Sequence, residues 1–266
     1  MTRFFESGGG AAVPASPPSD NRMPASPDGA HPVYSLAPGV HACVESGRLV
    51  LLDAVRDRYL MLDRVQTPRV MSLLHAERQP VGGPDSGAKD VGPPERAVVE
   101  AMWRRGLLAP ATGPGCTPLK PARALPTADL TSHDTRRQAS FGPRTILRFF
   151  LASRRAAQLL KGQPFASVVD HVRERRAMAD GKFDFNRARD LVSRFQRLRP
   201  FSRRDYLCLF DSLALIEFFH LHRLYPTWVF GVCAEPFQAH CWVQAGGVVL
   251  NDTIEVIRHY TPIMAV

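Results

Sequence analysis

Apolar and polar residues alternate in two patterned regions of the chain, and the first begins at Val33. Helical patterns in this region start at Thr67-Pro68 and at Pro94, and the second ends at Gly106. Before them, three short apolar segments between turn signals predict an antiparallel three-stranded sheet, at residues 39–44, 49–53 and 58–62. The first region is therefore predicted to be a β-β-β-α-α unit.

The second patterned region also mixes helices and strands. Amphipathic spacing predicts helices around residues 146–151, 165–172 and 191–198. A nearly all-apolar helical segment follows from Asp205 to Phe219, and strand-like patterns come last, at residues 227–232, 239–244 and 248–252. The chain is therefore predicted to belong to the α+β class.

Two segments have no apolar periodicity and divide the chain. Residues 1–32 are rich in Gly, Ala, Pro and Ser and are predicted to be a disordered tail. Residues 111–140 are rich in proline and are predicted to be a linker, in which Cys116 is an incidental exposed thiol. The predicted domains are accordingly residues 33–110 and 141–266.

Charge and composition narrow the possible functions. The 266-residue chain has a net charge of +9, and sixteen Lys/Arg against six Asp/Glu lie between Phe141 and Leu207. No nucleic-acid-binding motif accompanies this Arg-rich helical region, so we expect a solvated face or one that meets an acidic protein or peptide. No apolar run is long enough to cross a bilayer, and the N-terminus lacks a secretory signal pattern. We expect a cytoplasmic protein with no membrane or nucleic-acid partner.

The five cysteines are scattered without a Cys-x-x-Cys spacing, which favours neither a disulfide framework nor a zinc site. Cys208 lies in the opening turn of the apolar helix. If Asp205 is the N-cap, unpaired N–H groups and the helix dipole favour a thiolate at Cys208, as a nucleophile needs. The alternative is a structural cysteine in a buried helix.

A base for this cysteine is predicted from the hairpin around Ala245-Gly246-Gly247. A three-residue loop centred on Gly246 places His240 opposite Asp252, which suits an imidazole held by a carboxylate. A two-residue Gly246-Gly247 turn instead places Cys241 opposite Asp252. The first register predicts a Cys-His-Asp triad of Cys208, His240 and Asp252. Zinc binding by Cys208, Cys233, His240 and Cys241 is disfavoured, because adjacent strand residues point to opposite faces.

Three motifs resemble the lasso-peptide B protein, a transglutaminase-like cysteine peptidase that removes the leader of a precursor peptide. They are Cys-Leu-Phe-Asp-Ser-Leu-Ala-Leu (208–215), Phe-Gln-Ala-His-Cys-Trp-Val-Gln (237–244) and Leu-Asn-Asp (250–252). The resemblance covers residues 141–266 and implies catalytic roles for Cys208, His240 and Asp252. Asp211 and Cys241 depart from the family pattern, and a carboxylate at Asp211 raises the thiol pKa if it points towards Cys208. Gln238 or a backbone N–H near Cys208 is the candidate oxyanion donor.

Segment 33–110 contains Leu-Leu-Asp (51–53) and Arg-Tyr-Leu-Met-Leu-Asp (58–63) ahead of a helix, and a final Arg-Arg-Gly-Leu-Leu (104–108). In this order it resembles the PqqD-like precursor-recognition element of ribosomal peptide biosynthesis, a small winged-helix-like domain of a three-stranded sheet plus helices. A sheet edge of this kind accepts an extended peptide as a further strand. The resemblance implies a leader-peptide site on the third strand and the last helix, whereas plain core packing is the alternative for residues such as Leu60 and Val98. The predicted binding residues are Arg58, Tyr59, Leu60, Met61, Leu62, Val98, Met102 and Trp103.

These resemblances together predict a leader peptidase with no metal and no cofactor. The resemblance implies two partners, the precursor peptide and a separate ATP-dependent macrolactam synthetase. No Gly-rich phosphate-binding loop indicates that this chain hydrolyses ATP itself. Two alternatives remain open at this point. One is an acyltransferase or amidase of the same fold, and the other is a catalytically silent peptide-binding module.

Overall fold

The computed structural model describes residues 34–75, 93–110, 125–130, 142–179, 182–202 and 207–266. The chain divides into two compact units, residues 1–38 with 62–118 and residues 39–61 with 119–266. The predicted tail, most of the predicted linker, Cys116 and Asp205 lie outside the described residues. The predicted domain boundaries therefore stay predictions, while the units below are those that the packing defines.

Ten strands and seven α-helices are assigned in the described ranges. The strands are β1 (Tyr34–Leu36), β2 (Val40–Glu45), β3 (Arg48–Asp53), β4 (Arg58–Met61), β5 (Leu108–Pro110), β6 (Ala128–Asp129), β7 (Thr227–Ala234), β8 (Phe237–Ala245), β9 (Val248–Val249) and β10 (Thr261–Ala265). The helices are α1 (Gln66–His75), α2 (Pro93–Arg104), α3 (Pro143–Gly162), α4 (Phe165–Ala177), α5 (Phe185–Leu198), α6 (Cys208–His220) and α7 (Ile254–Ile257). This mixture confirms the α+β class.

The first unit contains helices α1 and α2 and the antiparallel pair β1–β5, which the apolar pattern did not predict. Helix α1 begins at Gln66, one residue before the predicted Thr67-Pro68 start, and Asp63 Oδ1 caps it by accepting the backbone N–H groups of Val65 and Gln66. Gly106 has a φ of 67° and follows α2, as predicted for a helix stop.

The second unit begins with the predicted three-stranded sheet, in the order β2-β3-β4. The β2–β3 turn is made by Ser46 and Gly47, whose φ values of 50° and 76° are those of a tight hairpin. One face of this sheet buries Cys43, Val50 and Leu52 in the main core of the same unit. The predicted winged-helix-like arrangement stays a prediction, because the sheet and the two helices that follow it fall into different units.

A five-stranded sheet, in the order β10-β7-β8-β9-β6, forms the centre of the second unit. All its pairings are antiparallel except β6–β9, which is parallel. Strand β6 lies within the predicted linker, and it is held because Thr127 N–H donates to the Gly247 carbonyl. Proline content predicted no element there, but a two-residue strand needs only backbone hydrogen bonds and leaves no pattern in the sequence.

Helix α6 is the most buried helix of the second unit. Ten of its thirteen residues are buried, and it packs against α3 and β8. Its core partners are mostly aromatic or branched, including Phe149, Phe195, Phe230 and Val243. Because tertiary packing fixes this helix along its length, its first residue is held in a defined place beside the sheet.

Candidate active site

Cys208 is the first residue of α6, and Leu207 occupies the N-cap position. Leu207 is 49% exposed and provides no side-chain hydrogen bond to the helix end. The first backbone N–H groups of a helix have no acceptor within the helix, and they favour negative charge close by. The predicted cap Asp205 lies outside the described residues, but the helix end itself supplies the expected environment for a thiolate.

Strand β8 presents one backbone edge to this helix end. Strand β9 ends at Val249, and beyond it the Val243 N–H donates to Asn251 Oδ1 at 2.7 Å. The N–H and C=O of Cys241 point to the same edge, since backbone groups alternate in direction along a strand. The Cys241 carbonyl accepts from Ser212 Oγ at 3.2 Å, and its N–H is a partner of the Cys208 thiolate. Cys208 and Ser212, one turn apart on α6, thus both interact with the backbone of Cys241 on β8.

His240 connects the thiol to a carboxylate. Its Nε2 lies 2.5 Å from Asp252 Oδ2, and its ring also forms a side-chain hydrogen bond with Cys208. Since Nε2 faces the carboxylate, Nδ1 is the ring nitrogen left for the sulfur. Asp252 is itself fixed, because its Oδ1 accepts the Thr253 N–H at 2.8 Å. The structure therefore brings together the three residues that the sequence predicted.

The predicted hairpin register, however, is wrong. The strands pair Ala245 with Val248 and Gln244 with Val249, so Gly246 and Gly247 form a two-residue turn. The φ of 56° at Gly246 fits such a turn. Asp252 reaches His240 from the loop after β9 and not from a directly opposed strand position. The predicted contact between His240 and Asp252 is present, but the predicted strand pairing that was to produce it is not.

The charges of Cys208 and His240 favour an ion pair. The pKa of Cys208 falls to about 4, chiefly through the hydrogen bond from the Cys241 thiol, and further through the hydrogen bond and charge of His240, against the opposing effect of burial. Burial lowers the pKa of His240, but the hydrogen bonds and charges of Asp252 and Cys208 raise it overall to about 9. Between those pH values the pair is a thiolate and an imidazolium.

Asp211 lies in the first turn of α6, and the sequence suggested that its negative charge could oppose ionisation of the Cys208 thiol. Its carboxylate forms an ion pair with the buried Arg199, whose guanidinium lies 5.8 Å from the Phe210 ring centre. The pKa of Asp211 is raised overall, first by burial and also by the charge of Cys208, although the hydrogen bond and charge of Arg199 oppose the rise. The arginine therefore compensates the negative charge that Asp211 brings near the sulfur.

The face of His240 is covered by aromatic rings. Its ring centre lies 5.1 Å from that of Tyr260 and 6.3 Å from that of Trp242. Gln238, the predicted oxyanion donor, accepts a hydrogen bond from the Tyr260 hydroxyl through Oε1 at 3.1 Å. That bond orients the Gln238 amide and leaves its NH₂ group to donate elsewhere.

Gly231 lies directly opposite His240 in the β7–β8 ladder and makes room for these rings. A Cβ at this position would lie 2.8 Å from Trp242 and 2.9 Å from the Tyr260 Cβ. We expect Gly231→Ala to cost about 1–3 kcal/mol in the free energy of unfolding, because the Trp242 ring and the Tyr260 residue must shift. Denaturant unfolding measures this cost. Gly142→Ala is the matched control, since a Cβ there meets nothing within 4 Å, and an equal loss in both variants would contradict the prediction.

The predicted peptide-binding residues of β4 lie in the same unit as Cys208. Tyr59 packs against the core with its ring centre 5.5 Å from that of Phe237, and its pKa is raised, first by burial and then by the charges of Cys241, Asp57 and Cys208. Arg58 Nε donates to Asp53 Oδ2 at 3.2 Å. Leu60 is paired with Leu51, while Met61 is 38% exposed.

The other predicted peptide-binding residues belong to the first unit. Met102 is buried, Val98 and Leu62 are half-buried, and Trp103 meets the Tyr34 ring edge to face at 5.8 Å between ring centres. Core packing accounts for Met102, as the alternative interpretation held. The peptide-binding role of the whole set stays a prediction.

Several neighbours of the site were not predicted. Asn251 belongs to the Leu-Asn-Asp motif, and the motif was its only signal in the sequence. Ser212 donates to Cys241 and accepts from Asn251 Nδ2 at 3.0 Å, so it joins the loop to the helix. Tyr260 lies outside every motif, and only the fold brings it to His240. No group of three or more His, Cys, Asp or Glu side chains suits a metal ion in the described ranges.

A cysteine at a helix N-terminus, within hydrogen-bond reach of a histidine that a carboxylate holds, is the arrangement of thiol-dependent hydrolases and acyltransferases. Comparison with family models agrees with this class. Residues 149–265 match the transglutaminase-like superfamily, which includes cysteine peptidases and acyltransferases. This part of the chain is therefore a transglutaminase-like domain.

Comparisons with curated proteins and with solved structures gave no significant match. A search of the helices in the described ranges for a segment able to span a bilayer found none.

Proposed function

We propose that this protein is a cysteine endopeptidase that cleaves the leader from the core of a ribosomally made lasso-type precursor peptide. The observation that carries the proposal is the continuous contact from Cys208 through His240 to Asp252. The side chains of His240 and Asp252 are only 17% and 19% exposed, so the charged groups are shielded while the pair stays open to a substrate. The lasso-type substrate rests on the resemblance of the three motifs.

The chemistry follows from the ion pair. The Cys208 thiolate attacks the carbonyl carbon of the scissile bond, and the negative charge moves to the carbonyl oxygen. When the tetrahedral intermediate collapses, the C–N bond breaks and His240 gives its proton to the leaving amine. Water, deprotonated by the now neutral His240, then attacks the thioester, releasing the leader as a free acid and restoring the thiol. Asp252 keeps the imidazole oriented in both steps.

Two groups are placed to stabilise the intermediate. The backbone N–H of Cys208 has no acceptor within α6, as the first helical residue, and it is adjacent to the sulfur. The Gln238 amide is the second candidate, because Tyr260 fixes its oxygen and so orients its nitrogen. We assign the first to the oxyanion and keep Gln238 as a supporting donor.

Strand β4 is the proposed entry for the leader. Among the described strands it lies at the end of the β2-β3-β4 sheet, and an extended peptide can add to a strand in that position. Tyr59 on this strand lies near enough to Cys208 for the sulfur's charge to raise its pKa, after burial and the charges of Cys241 and Asp57. A leader added to β4 would therefore run close to the nucleophile. In the first unit, Leu62, Val98 and Trp103 are separately proposed to contact leader side chains.

In this proposal the protein acts in the cytoplasm and hands the core to a separate ATP-dependent macrolactam synthetase. The synthetase closes the ring, and this chain needs no cofactor for hydrolysis. The Arg-rich helices α3–α5 offer the basic surface that an acidic peptide or protein partner would meet.

The test is incubation of the full chain with a synthetic lasso-type precursor, followed by mass spectrometry of the products. Hydrolysis gives two fragments whose masses sum to that of the precursor plus one water, with a free acid at the end of the leader. A new amide in the presence of an added amine would instead establish acyl transfer. Binding without any product would establish a silent peptide-binding module, and either result would replace the proposal.

A further inference from the structure

A second thiol lies beside the candidate nucleophile and forms no bond to the substrate in the proposed reaction. Cys208 and Ser212 lie one turn apart on the same side of α6. Ser212 Oγ is 3.2 Å from the Cys241 carbonyl oxygen and 3.9 Å from Cys241 Sγ. The Cys241 side chain also interacts with that of Cys208: it lowers the pKa of Cys208, and Cys208, after burial, raises the pKa of Cys241. The helix and the strand thus hold two sulfurs side by side.

The other described cysteines are not arranged in this way. Cys43 is buried in β2, in the three-stranded sheet. Cys233 on β7 is directly opposite Gln238, and its Sγ lies 3.8 Å from the Glu235 carbonyl oxygen. Neither takes part in a side-chain hydrogen bond with Cys208. Cys241 is therefore the described thiol placed to react with it.

The two neighbours differ in reactivity. Cys208 is half-buried and ionises easily, whereas Cys241 is 3% exposed and burial raises its pKa. Peroxides oxidise exposed thiolates much faster than buried thiols, so Cys208 is attacked first. The buried thiol then meets the oxidised sulfur without leaving the core.

We propose that Cys241 is a resolving cysteine, which condenses with peroxide-oxidised Cys208 to form a reversible disulfide that switches the nucleophile off. In the first step the Cys208 thiolate attacks a peroxide oxygen, the O–O bond breaks, and the departing hydroxide takes a proton from His240 to form water. In the second, Cys241 sulfur attacks the sulfenic sulfur, the S–O bond breaks, and hydroxide leaves with the Cys241 proton as water. The cysteines lose two electrons and the peroxide gains them.

The start of α6 is suited to the small movement that this bond needs. An S–S bond is about 2.05 Å long, so the two sulfurs must move closer together to form it. Cys208 is the first helical residue, preceded by the exposed Leu207, which has no capping hydrogen bond from its side chain. Cys241 is fixed in the middle of β8, so Cys208 is the partner that moves.

The experiment treats the full chain with hydrogen peroxide, blocks remaining thiols with N-ethylmaleimide, and maps the digest by mass spectrometry. We expect a cross-linked peptide that joins Cys208 to Cys241, lost on treatment with dithiothreitol. The matched variants are Cys241→Ser, in which we expect Cys208 to reach the sulfinic acid, and Cys233→Ser, which should form the same cross-link as the wild type. A Cys208 left unmodified, overoxidised in the wild type, or linked to another cysteine overturns the proposal.

Disulfide formation is measured by mass and does not depend on the proposed peptidase activity; only its effect on cleavage rests on that function. Where cleavage is measurable, dithiothreitol should return most of the wild-type activity after peroxide and little of the activity of Cys241→Ser, each relative to its own untreated sample. A cross-link without cleavage of any precursor would contradict the proposed function alone. Cleavage without the cross-link would contradict the resolving role alone.

Discussion

Replacing Cys208 by alanine is expected to abolish cleavage of a precursor peptide while leaving the binding of that peptide intact. In the proposed mechanism the thiolate forms the bond to the substrate, and Cys208 is a half-buried thiol whose pKa falls to about 4, chiefly through Cys241. Loss of the nucleophile in an enzyme of this kind typically lowers kcat by roughly 10⁴–10⁶-fold. Cleavage is followed by mass spectrometry, and binding by fluorescence anisotropy of a labelled leader peptide.

Cys233→Ser is the matched control for this variant. It removes a half-buried thiol from the neighbouring strand, but it leaves Cys208, His240 and Asp252 in place. We expect its kcat to stay within about threefold of the wild type, as for a substitution away from the reacting atoms. Cleavage by Cys208→Ala at a rate near that of the control would remove Cys208 from the mechanism.

The same ion pair predicts how readily the thiol reacts with alkylating agents. With the pKa of Cys208 at about 4, its hydrogen bond from Cys241 being the largest cause, the wild type should react with iodoacetamide already at pH 5–6. An ordinary cysteine, with a pKa of about 8.5, is almost wholly protonated there. The other thiols therefore serve as internal references in the same digest.

Much of the second unit follows from local pattern. Helices α3, α4 and α5 appear where amphipathic spacing predicts them, and strands β2, β3, β4, β7 and β8 where short apolar segments do. The apolar pattern does not show which helix or strand each element packs against or pairs with. Strands β1, β5 and β6 have two or three residues each and are defined by backbone pairing with distant strands, so their own sequence carries little signal.

In the candidate site, too, the sequence pattern identifies the residues but not how their strands pair. The order of Cys208, His240 and Asp252 is readable from motifs, but Ala245-Gly246-Gly247 is compatible with two turn lengths. The observed turn takes the shorter one. Asp252 still meets His240 because Asn251 binds the Val243 N–H and so turns the loop towards the site. The Asn251 side chain, and not the strand register, therefore places Asp252 beside His240.

The position of the three-stranded sheet bears on how a substrate would be delivered. Contiguity in sequence predicted that it packs with α1 and α2, but its apolar face joins the core of the second unit. Arg48 pairs with Glu235, and Glu45 accepts the Ala234 N–H at 2.7 Å, so β2 and β3 are tied to the turn that leads into β8. A peptide bound on β4 would thus be held by the same unit that contains the nucleophile.

Asp252→Asn is expected to lower kcat by about 10²–10⁴-fold without unfolding the protein. The asparagine oxygen can still accept the Thr253 N–H, as Asp252 Oδ1 does at 2.8 Å. Its NH₂ group then faces His240 Nε2, where it donates a hydrogen bond and holds the proton of the neutral ring on Nδ1, towards Cys208. A ring in that tautomer cannot accept the thiol proton, so the ion pair is lost.

The pH profile separates this effect from a general loss of stability. In the wild type the active state needs deprotonated Cys208 and protonated His240, so kcat/KM should rise with pH through about 4 and fall through about 9. Burial lowers the pKa of His240, and the carboxylate of Asp252 is the leading influence that raises it. Without that charge the alkaline limit must move to lower pH, and the acid limit to higher pH as the thiolate loses its imidazolium partner.

Glu255→Gln is the control, because it removes the same charge from an exposed position three residues further on. We expect it to leave both limits of the profile in place at moderate salt, where exposed charges are screened. The role given to Asp252 fails if Asp252→Asn lowers the rate equally at all pH values, or if Glu255→Gln narrows the profile as much. A narrowed profile in Asp252→Asn alone, with unchanged circular dichroism, identifies Asp252 as the group that keeps His240 charged.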